Sequence, residues 1–503
     1  MNSMTPYLTT AFQAIPTSLR GLFPEILLAS AILLGCFLEW STDDKGKRLV
    51  VWFCAISAFA TLVLALLTGT VSEPRLASGT FTPDSISQFT RLFALSAAIL
   101  VLLALNGSKA LDGRWEQGET ALLILSVALG AMLFASARHL LALYLGLEFL
   151  SLASYGLAGF RAHDSRAGEA GLKYVLYGGV ASAVALFGIS HLWGIAGSFD
   201  VGEIGLALSS QPRAMLVPVL LVAVAFAFKA GLAPFHFWSP DVYQGCPTVS
   251  AGFLSTVPKA AAFAAFLRTL PFLLPPQALG ISPSAIGGFL VLVGILSIAV
   301  GSATSLVQKD AKRILAFSST ANAGILVLAL STWLTRDGVA ALAFYLVAYL
   351  VSNLGAFLAL DQLERTAGGT SLEALKGSWK RHPVAVVCLS ICVFSLAGVP
   401  PLAGFAGKWV VLSEVVRSGM EDGTGILPLV GVAVALLGSV VLAAAYLRIL
   451  RSAVVDDPGT ENPHDDFRPS VLSGIPLLLC ALGSLALGLC WPLLSLFRSR
   501  LGG

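Results

Sequence analysis

Charge is what this chain has least of: 12% of its 503 residues are Asp, Glu, Lys or Arg, against roughly 25% in an average soluble domain. With 56% hydrophobic residues and a mean hydropathy of +0.84, the composition excludes a water-soluble protein and describes an integral membrane one. The formal net charge of +3 is too small, and too evenly spread, for a nucleic-acid partner. Cysteine is sparse and scattered. Cys36, Cys54, Cys246, Cys388, Cys392, Cys480 and Cys490 fall mostly within apolar runs, with no CxxC cluster for zinc, an iron–sulfur centre or a disulfide framework. Cys388 and Cys392 share a helix face and read as small hydrophobes. There is no Walker loop, no GxGxxG after a strand and no HExxH, so redox and nucleotide chemistry are not expected of this chain.

What is present is a succession of apolar runs of about 20 residues, the length that spans a bilayer as a helix. They predict an all-α polytopic protein of about fourteen transmembrane helices, near 21–40, 49–70, 87–105, 118–136, 139–160, 168–196, 215–243, 249–270, 283–305, 310–333, 338–363, 383–415, 426–452 and 471–498. Short polar links such as STDDKGKR and DDPGTENPHDDFRP separate them, and no long soluble domain intervenes. The N-terminus carries no basic residue before Arg20 and no small-residue cleavage site, so a removable signal peptide is not expected. Links after odd-numbered helices carry seventeen Lys and Arg, among them Lys45, Lys309, Lys312, Arg313 and Arg365, against ten on the opposite side. That bias predicts both termini on the periplasmic side of a bacterial inner membrane.

Two spans are interrupted. The seventh reads AFAFKAGLAPFHFWSPDVYQGCP, where Gly231, Pro234 and Pro240 follow Lys229; the twelfth reads FSLAGVPPLAGFAGKWVVL, where Gly398, Pro400 and Pro401 precede Lys408. Proline removes a backbone donor and crowds the preceding turn, so each span is expected to split into half-helices whose freed carbonyls face protein or water. Helices four to eight and nine to thirteen each hold a break in their fourth member. An odd-numbered unit repeated in tandem enters the membrane from opposite sides, the arrangement of ion transporters with inverted repeats. The organisation expected is helices one to three within 1–117, a first five-helix repeat over 118–270, a second over 283–452 and a last helix at 471–498.

Four lysines, Lys173, Lys229, Lys259 and Lys408, and one carboxylate, Glu148, lie inside the apolar stretches. An ammonium at the bilayer centre costs roughly 2.5–3.5 kcal/mol on insertion scales, so these residues are the functional candidates. Burial disfavours an ammonium and a nearby carboxylate favours it, which makes Glu148 and Lys229 a candidate switchable pair. A tenfold change in proton affinity is about 1.4 kcal/mol, and one charge crossing 100 mV is about 2.3 kcal/mol. Switching one such pair therefore supplies energy on the scale that transport needs.

Blander readings stand beside these. Lys173 begins only some seven residues into its helix and can snorkel to the interface. Glu148 can be half of a structural ion pair. His236, with Trp238 and Tyr243, can form an interfacial aromatic belt or a proton exit beside the break. His139 and His191 read as packing or interfacial residues, and Glu25, Asp361 and Glu414 as weak signals near helix ends. Lys309, Lys312 and Arg313 read as positive-inside anchors.

The strings LYLGLEFLSLASYGLAGF, EAGLKYVLYGGVASAVALFGIS, FKAGLAPFHFWSPDVYQGCPTVSAGFLSTVPKAAAF, QKDAKRILAFSS and FSLAGVPPLAGFAGKWVVL resemble subunit N of NADH-quinone oxidoreductase, respiratory complex I. The resemblance runs from about residue 21 to the last helix. The wording PDVYxGxPT followed by FLSxxPKxAxF is similar to subunit N rather than to subunits L and M or the multisubunit cation/proton antiporters. No lateral helix of the subunit L kind is expected after the last span.

The resemblance implies a fourteen-helix fold with two inverted five-helix units. It also implies a translocase subunit that moves protons while NADH, FMN, iron–sulfur clusters and quinone are handled by other subunits, with subunits M and K and membrane lipid as neighbours. It makes Glu148 the switch carboxylate, Lys229 its partner, Lys259 the central lysine, Lys408 the terminal one, Lys173 auxiliary, and places His236 near a proton path. In the tenth helix the family commonly reads SSIAHxGY, whereas this chain reads SSTANAGI, with Asn322 and Ile325 in place of a histidine and a tyrosine. A cation/proton antiporter or membrane-bound hydrogenase subunit of the same fold, and a non-transporting scaffold, are the alternatives. Neighbouring genes and the separation of assembly from coupled activity discriminate among them.

Overall fold

Long apolar segments that must satisfy their own backbone in lipid have helices as their solution. The structure, a computed structural model, describes residues 21–42, 47–70, 80–106, 117–160, 164–210, 212–274, 283–421, 426–456 and 471–490. The N-terminal segment through Arg20, the link at 107–116 and the residues after 490 are among those outside these. Twelve described helices are long and apolar enough to cross a membrane, and Leu216–Ala230 and Pro383–Ala397 are shorter apolar ones.

Helices α1 (Phe23–Ser41), α2 (Lys47–Thr68) and α3 (Ser85–Asn106) pack on one another and on α4 (Gln117–Ser136). A buried ion pair ties α1 to α3: Arg91 Nε donates to Glu25 Oε1 at 2.7 Å and Nη2 to Glu25 Oε2 at 3.0 Å. Glu25, a weak signal in the sequence, is thus structural. Because removing one partner of a buried pair leaves the other charge stranded, Arg91→Ala is expected to cost about 3–5 kcal/mol. A thermal midpoint of the purified assembly unchanged by this substitution would count against that.

The first unit continues with α5 (Leu140–Gly159), α6 (Ser165–Ala196), a short α7 (Val201–Ser210) that the apolar pattern did not predict, and α8 (Pro212–Ala230). It closes with α9 (Ser239–Gly245), α10 (Thr248–Leu254) and α11 (Val257–Leu273). The second unit comprises α12 (Pro283–Ser305), α13 (Ala311–Leu330), α14 (Arg336–Ala367), a one-turn α15 (Ser378–Arg381), α16 (Pro383–Ala397), α17 (Ala403–Glu421) and α18 (Ile426–Val454); α19 (Val471–Leu489) follows. The seventh and twelfth spans break as expected, into α8/α9 and α16/α17. The eighth, read as one helix over 249–270, is also divided, at Ser255 and Thr256. Their hydroxyls donate to Gly252 O at 2.8 and 3.0 Å, and Pro258 opens the new helix, where a missing N–H costs nothing.

Equivalent devices recur in the two units. Helix α6 starts on Asp164, whose side chain accepts from Arg166 N, and ends at Gly197 with φ 69°. Helix α14 starts on Thr335, which accepts from Gly338 N, and ends at Gly368 with φ 70°. Isolated antiparallel bridges join His139 to Asp200 and Asp310 to Ser371, with the same spacing in sequence. Their bonds match as well: Leu140 N to Phe199 O at 2.8 Å and Val201 N to Arg138 O at 3.2 Å in one, Ala311 N to Thr370 O and Leu372 N to Lys309 O, both 2.9 Å, in the other.

Close backbone contact also repeats. A Cβ on Gly130 of α4 would lie 2.6 Å from Leu150 Cα of α5, and one on Gly301 of α12 would lie 2.5 Å from Ala321 N of α13. Small residues of this kind let helices approach in lipid, where van der Waals contact replaces the hydrophobic drive.

Burial locates the centre. The most apolar window of Thr248–Leu273 is wholly buried and that of Ala311–Leu330 is 94% buried, whereas those of Phe23–Ser41 and Ile426–Val454 are 28% buried. Helices α9 and α10 of the first unit pack against α13 and α14 of the second, so the innermost side chains lie where the two units meet.

Candidate functional site

Lys229 sits in the last turn of α8, just before the break, and is 2% exposed. Its Nζ donates to Ser151 Oγ of α5 at 3.1 Å and to the Tyr174 hydroxyl of α6 at 3.4 Å, and lies 5.3 Å from the Tyr174 ring centroid. Gly231, with φ 70°, turns the chain. Trp238 then folds back, stacks on Tyr174 with centroids 4.4 Å apart, and donates from Nε1 to Phe228 O at 3.2 Å. The indole thereby shares with the Gly231 N–H, at 3.0 Å, a carbonyl in the last turn before the break.

Glu148 lies one turn before Ser151 on α5, half-buried, with Oε1 buried and unbonded. Among the described residues it forms no ion pair with Lys229, which binds the neighbouring serine instead. The two remain close enough to act on each other electrostatically. His236 occupies the break itself, 4% exposed, with Nδ1 buried and without a hydrogen bond. It contacts Phe237 and Phe317, and so is enclosed rather than part of an interfacial belt.

Lys259, three residues into α11, donates to both the carbonyl and the hydroxyl of Ser319 on α13, each at 2.6 Å. Its Nζ stands 5.0 Å from the Tyr349 ring centroid, and the Tyr349 hydroxyl donates to the same Ser319 Oγ at 2.8 Å. Tyr243 of α9 stands edge-on to Trp238 at 5.7 Å and to Phe357 of α14 at 6.2 Å. Buried aromatic rings and hydroxyls thus surround both Lys229 and Lys259.

Lys408 follows its break instead of preceding it. From α17 it reaches back to the end of α16, donating to Leu396 O at 2.8 Å, Ala397 O at 3.0 Å and Ser439 Oγ of α18 at 2.9 Å. Terminal carbonyls of a helix lack intrahelical partners and carry the negative end of its dipole, so an ammonium fits there.

Lys173 stands apart. It is 36% exposed and binds Asp241 at 2.6 Å and Glu169 at 2.7 Å, so it does not join the buried lysines. Asp241 also receives Arg313 Nη1 at 2.6 Å, linking α9 to α13. The reading of Lys312 and Arg313 as simple anchors is thus corrected. Lys312 is 3% exposed, donates to Cys246 O at 3.2 Å and faces Glu364 Oε1 at 3.7 Å. His191 is exposed on α6 with Nδ1 against Phe187 O at 2.9 Å, in keeping with its reading as an interfacial residue.

Sequence reasoning missed the neutral partners Ser151, Tyr174, Ser319 and Tyr349. Serine and tyrosine are ordinary in membrane helices, and their only signal is helix phase relative to lysines 55 to 90 positions away. Among the described residues no group of His, Cys, Asp and Glu is placed to hold a metal ion. The arrangement can hold and pass protons: three buried amines, each bonded to hydroxyls or carbonyls, with one half-buried carboxylate near the first.

Residues 137–451 match the family described as NADH:quinone oxidoreductase/Mrp antiporter, TM. The chain is 36% identical over 493 residues to NADH-quinone oxidoreductase subunit N 2 of Sorangium cellulosum, covering 94% of this chain and 95% of that one. It is 32% identical over 478 residues to NADH-quinone oxidoreductase subunit N of a Geobacillus strain, covering 92% and 95%. A chain of respiratory complex I from Thermus thermophilus superposes with a TM-score of 0.76 at 34% identity over 94% of this chain and 99% of that one. A chain of the Mrp complex from Dietzia, at 20% identity and a TM-score of 0.81, shares the fold. A helical, multi-pass architecture and sequence likeness over nearly the whole length converge: the chain belongs to the subunit N family of NADH-quinone oxidoreductases.

Proposed function

We propose that this chain is a proton-translocating membrane subunit of an NADH-quinone oxidoreductase, and that Lys229, Lys259 and Lys408 carry the protons. Glu148 biases Lys229 through space, His236 serves the break beside it, and Lys173 is a surface auxiliary. One observation carries the reading: three buried amines, one inside each unit and one where the units meet, are bonded to neutral groups. A purely structural buried ammonium is expected to have a carboxylate in contact, because an unpaired charge is too costly to keep without use. Electron transfer from NADH through FMN and iron–sulfur clusters to quinone belongs, in this reading, to partner subunits, with subunits M and K adjacent in the membrane. The units over 118–270 and 283–452 each form half of the path, flanked by the helices within 1–117 and 471–498. The chain resides in a bacterial inner membrane with both termini periplasmic, as the distribution of Lys and Arg supports.

The test is Lys229→Ala in the whole complex, assayed in inverted membrane vesicles. Proton uptake driven by NADH is expected to fall roughly tenfold, as when about 1.4 kcal/mol is added to the limiting barrier, with normal complex abundance. Wild-type uptake by an assembled Lys229→Ala complex would overturn the assignment.

A further inference from the structure

Between Lys259 and Lys408 the described structure offers no imidazole or carboxylate in hydrogen-bonding contact. It offers a rack of neutral groups on α13, α14 and α18. The Tyr349 hydroxyl bonds Ser319 Oγ, the acceptor of Lys259. One turn earlier on α14, the Tyr345 hydroxyl donates to Asn322 Oδ1 at 2.9 Å, and Asn322 Nδ2 donates to Ser318 O at 2.9 Å. The Tyr446 hydroxyl of α18 is buried without a hydrogen-bond partner among the described residues. Tyr345, Tyr349, Asn322 and Ser319 are all at most 2% exposed.

The rack leads to Lys408. The Tyr345 ring lies against Gly407, where an added Cβ would stand 2.6 Å from Tyr345 Cδ2. Helix α18 carries Tyr446 and, two turns before it, Ser439, which binds Lys408 Nζ at 2.9 Å.

We propose that the phenol hydroxyls of Tyr349 and Tyr345 pass the proton from Lys259 toward Lys408, with Asn322 as the residue that positions Tyr345. The inference rests on the reading of Lys259 and Lys408 as proton carriers. In each step a hydroxyl oxygen accepts a proton on a lone pair and releases its own proton to the next oxygen; the Tyr349 hydroxyl, which donates to Ser319 at rest, first turns away so that Ser319 can donate to it. One proton enters from Lys259, one leaves toward Lys408, and no atom or electron is otherwise exchanged. The order is Ser319, Tyr349, then, through water, the Tyr446 and Tyr345 hydroxyls, and finally Ser439, with further water completing the two turns of α18, about 10 Å along the axis. An amide holds a hydroxyl in place but does not titrate. Asn322 therefore fixes Tyr345 without storing the proton, and transfer through this stretch runs without a resting protonated intermediate.

The experiment compares Tyr349→Phe, Tyr345→Phe and Tyr345→Phe with Asn322→His in the whole complex, beside the Lys229→Ala control. Phenylalanine keeps the ring packing and removes only the hydroxyl. Each single variant is expected to assemble normally and to lose at least about tenfold in NADH-driven proton uptake, the low end of what a positioned proton-transfer group contributes. The imidazole of Asn322→His, which titrates near neutrality, is expected to restore uptake to Tyr345→Phe and to impose on it a pH dependence that the wild type lacks. Full uptake by both assembled Phe variants, while Lys229→Ala is defective, would overturn the hydroxyl route alone. Full uptake by Lys229→Ala as well would overturn the underlying reading. Loss in Tyr345→Phe that the histidine does not restore, in an assembled complex, would make Tyr345 structural and also overturn the proposal.

Discussion

Lys259→Ala is expected to abolish NADH-driven proton uptake while the complex still assembles. Lys259 belongs by its backbone to the first unit, on α11, but its Nζ is bonded to Ser319 of α13 in the second. Among the three proposed carriers it is the one whose bond crosses the boundary between the units, so neither of the other two can substitute for it. Its removal exposes little surface and strands no charge, because its partners are a carbonyl and hydroxyls, and their loss costs about 1–3 kcal/mol at most. Lys259→Arg is the sharper variant. The guanidinium keeps the charge and can keep the bond to Ser319, but it does not release its proton in a protein. It is therefore expected to be as inactive as Lys259→Ala. Pumping by Lys259→Arg at the wild-type rate would show that a fixed positive charge, and not proton exchange, is what this position supplies.

Gly301→Leu is expected to remove the complex from the membrane altogether. The Cβ of any larger residue would fall 2.5 Å from Ala321 N and 2.6 Å from Phe317 O. Both are backbone atoms in the middle of a helix, which cannot swing aside as a side-chain end can. Overpacking of this kind costs about 1–3 kcal/mol or more in a core that can relax, and here relaxation means separating α12 from α13 along their length. Gly474→Ala in α19 is the control, since its added Cβ meets nothing within 4 Å, and it is expected to leave complex abundance unchanged. Immunodetection of this chain in membranes, with and without each substitution, reads the outcome. Normal abundance of Gly301→Leu would show that the two helices do not pack as described.

The spans and both major breaks were legible because each rests on a local signal: an apolar run of bilayer length, or prolines and glycines inside one. The break at Ser255 and Thr256 was not, since two hydroxyl residues in a continuous apolar run scarcely change its hydropathy. Among the intramembrane charges, sequence alone ranked Lys229, Lys259 and Lys408 together and set Lys173 lower. The structure separates Lys173 by its acidic contacts. Phase decided Lys312, which reads as one of a basic cluster yet points inward to Cys246 O and Glu364. The hydroxyls around the lysines were invisible for a different reason. Nothing in a serine's or tyrosine's own neighbourhood announces a partner half a unit away.

The main-chain bridges at His139–Asp200 and Asp310–Ser371 bear on how the two units can differ so much in wording. Each clasp is made of backbone N–H and C=O groups, and its equivalent positions hold unlike side chains: histidine opposite aspartate in one unit, aspartate opposite serine in the other. Such a joint is blind to residue identity, proline apart, because every other residue brings the same donor and acceptor. Substitutions could accumulate at these corners without loosening them. In this molecule the correspondence between the two corners is carried by peptide groups rather than by side chains.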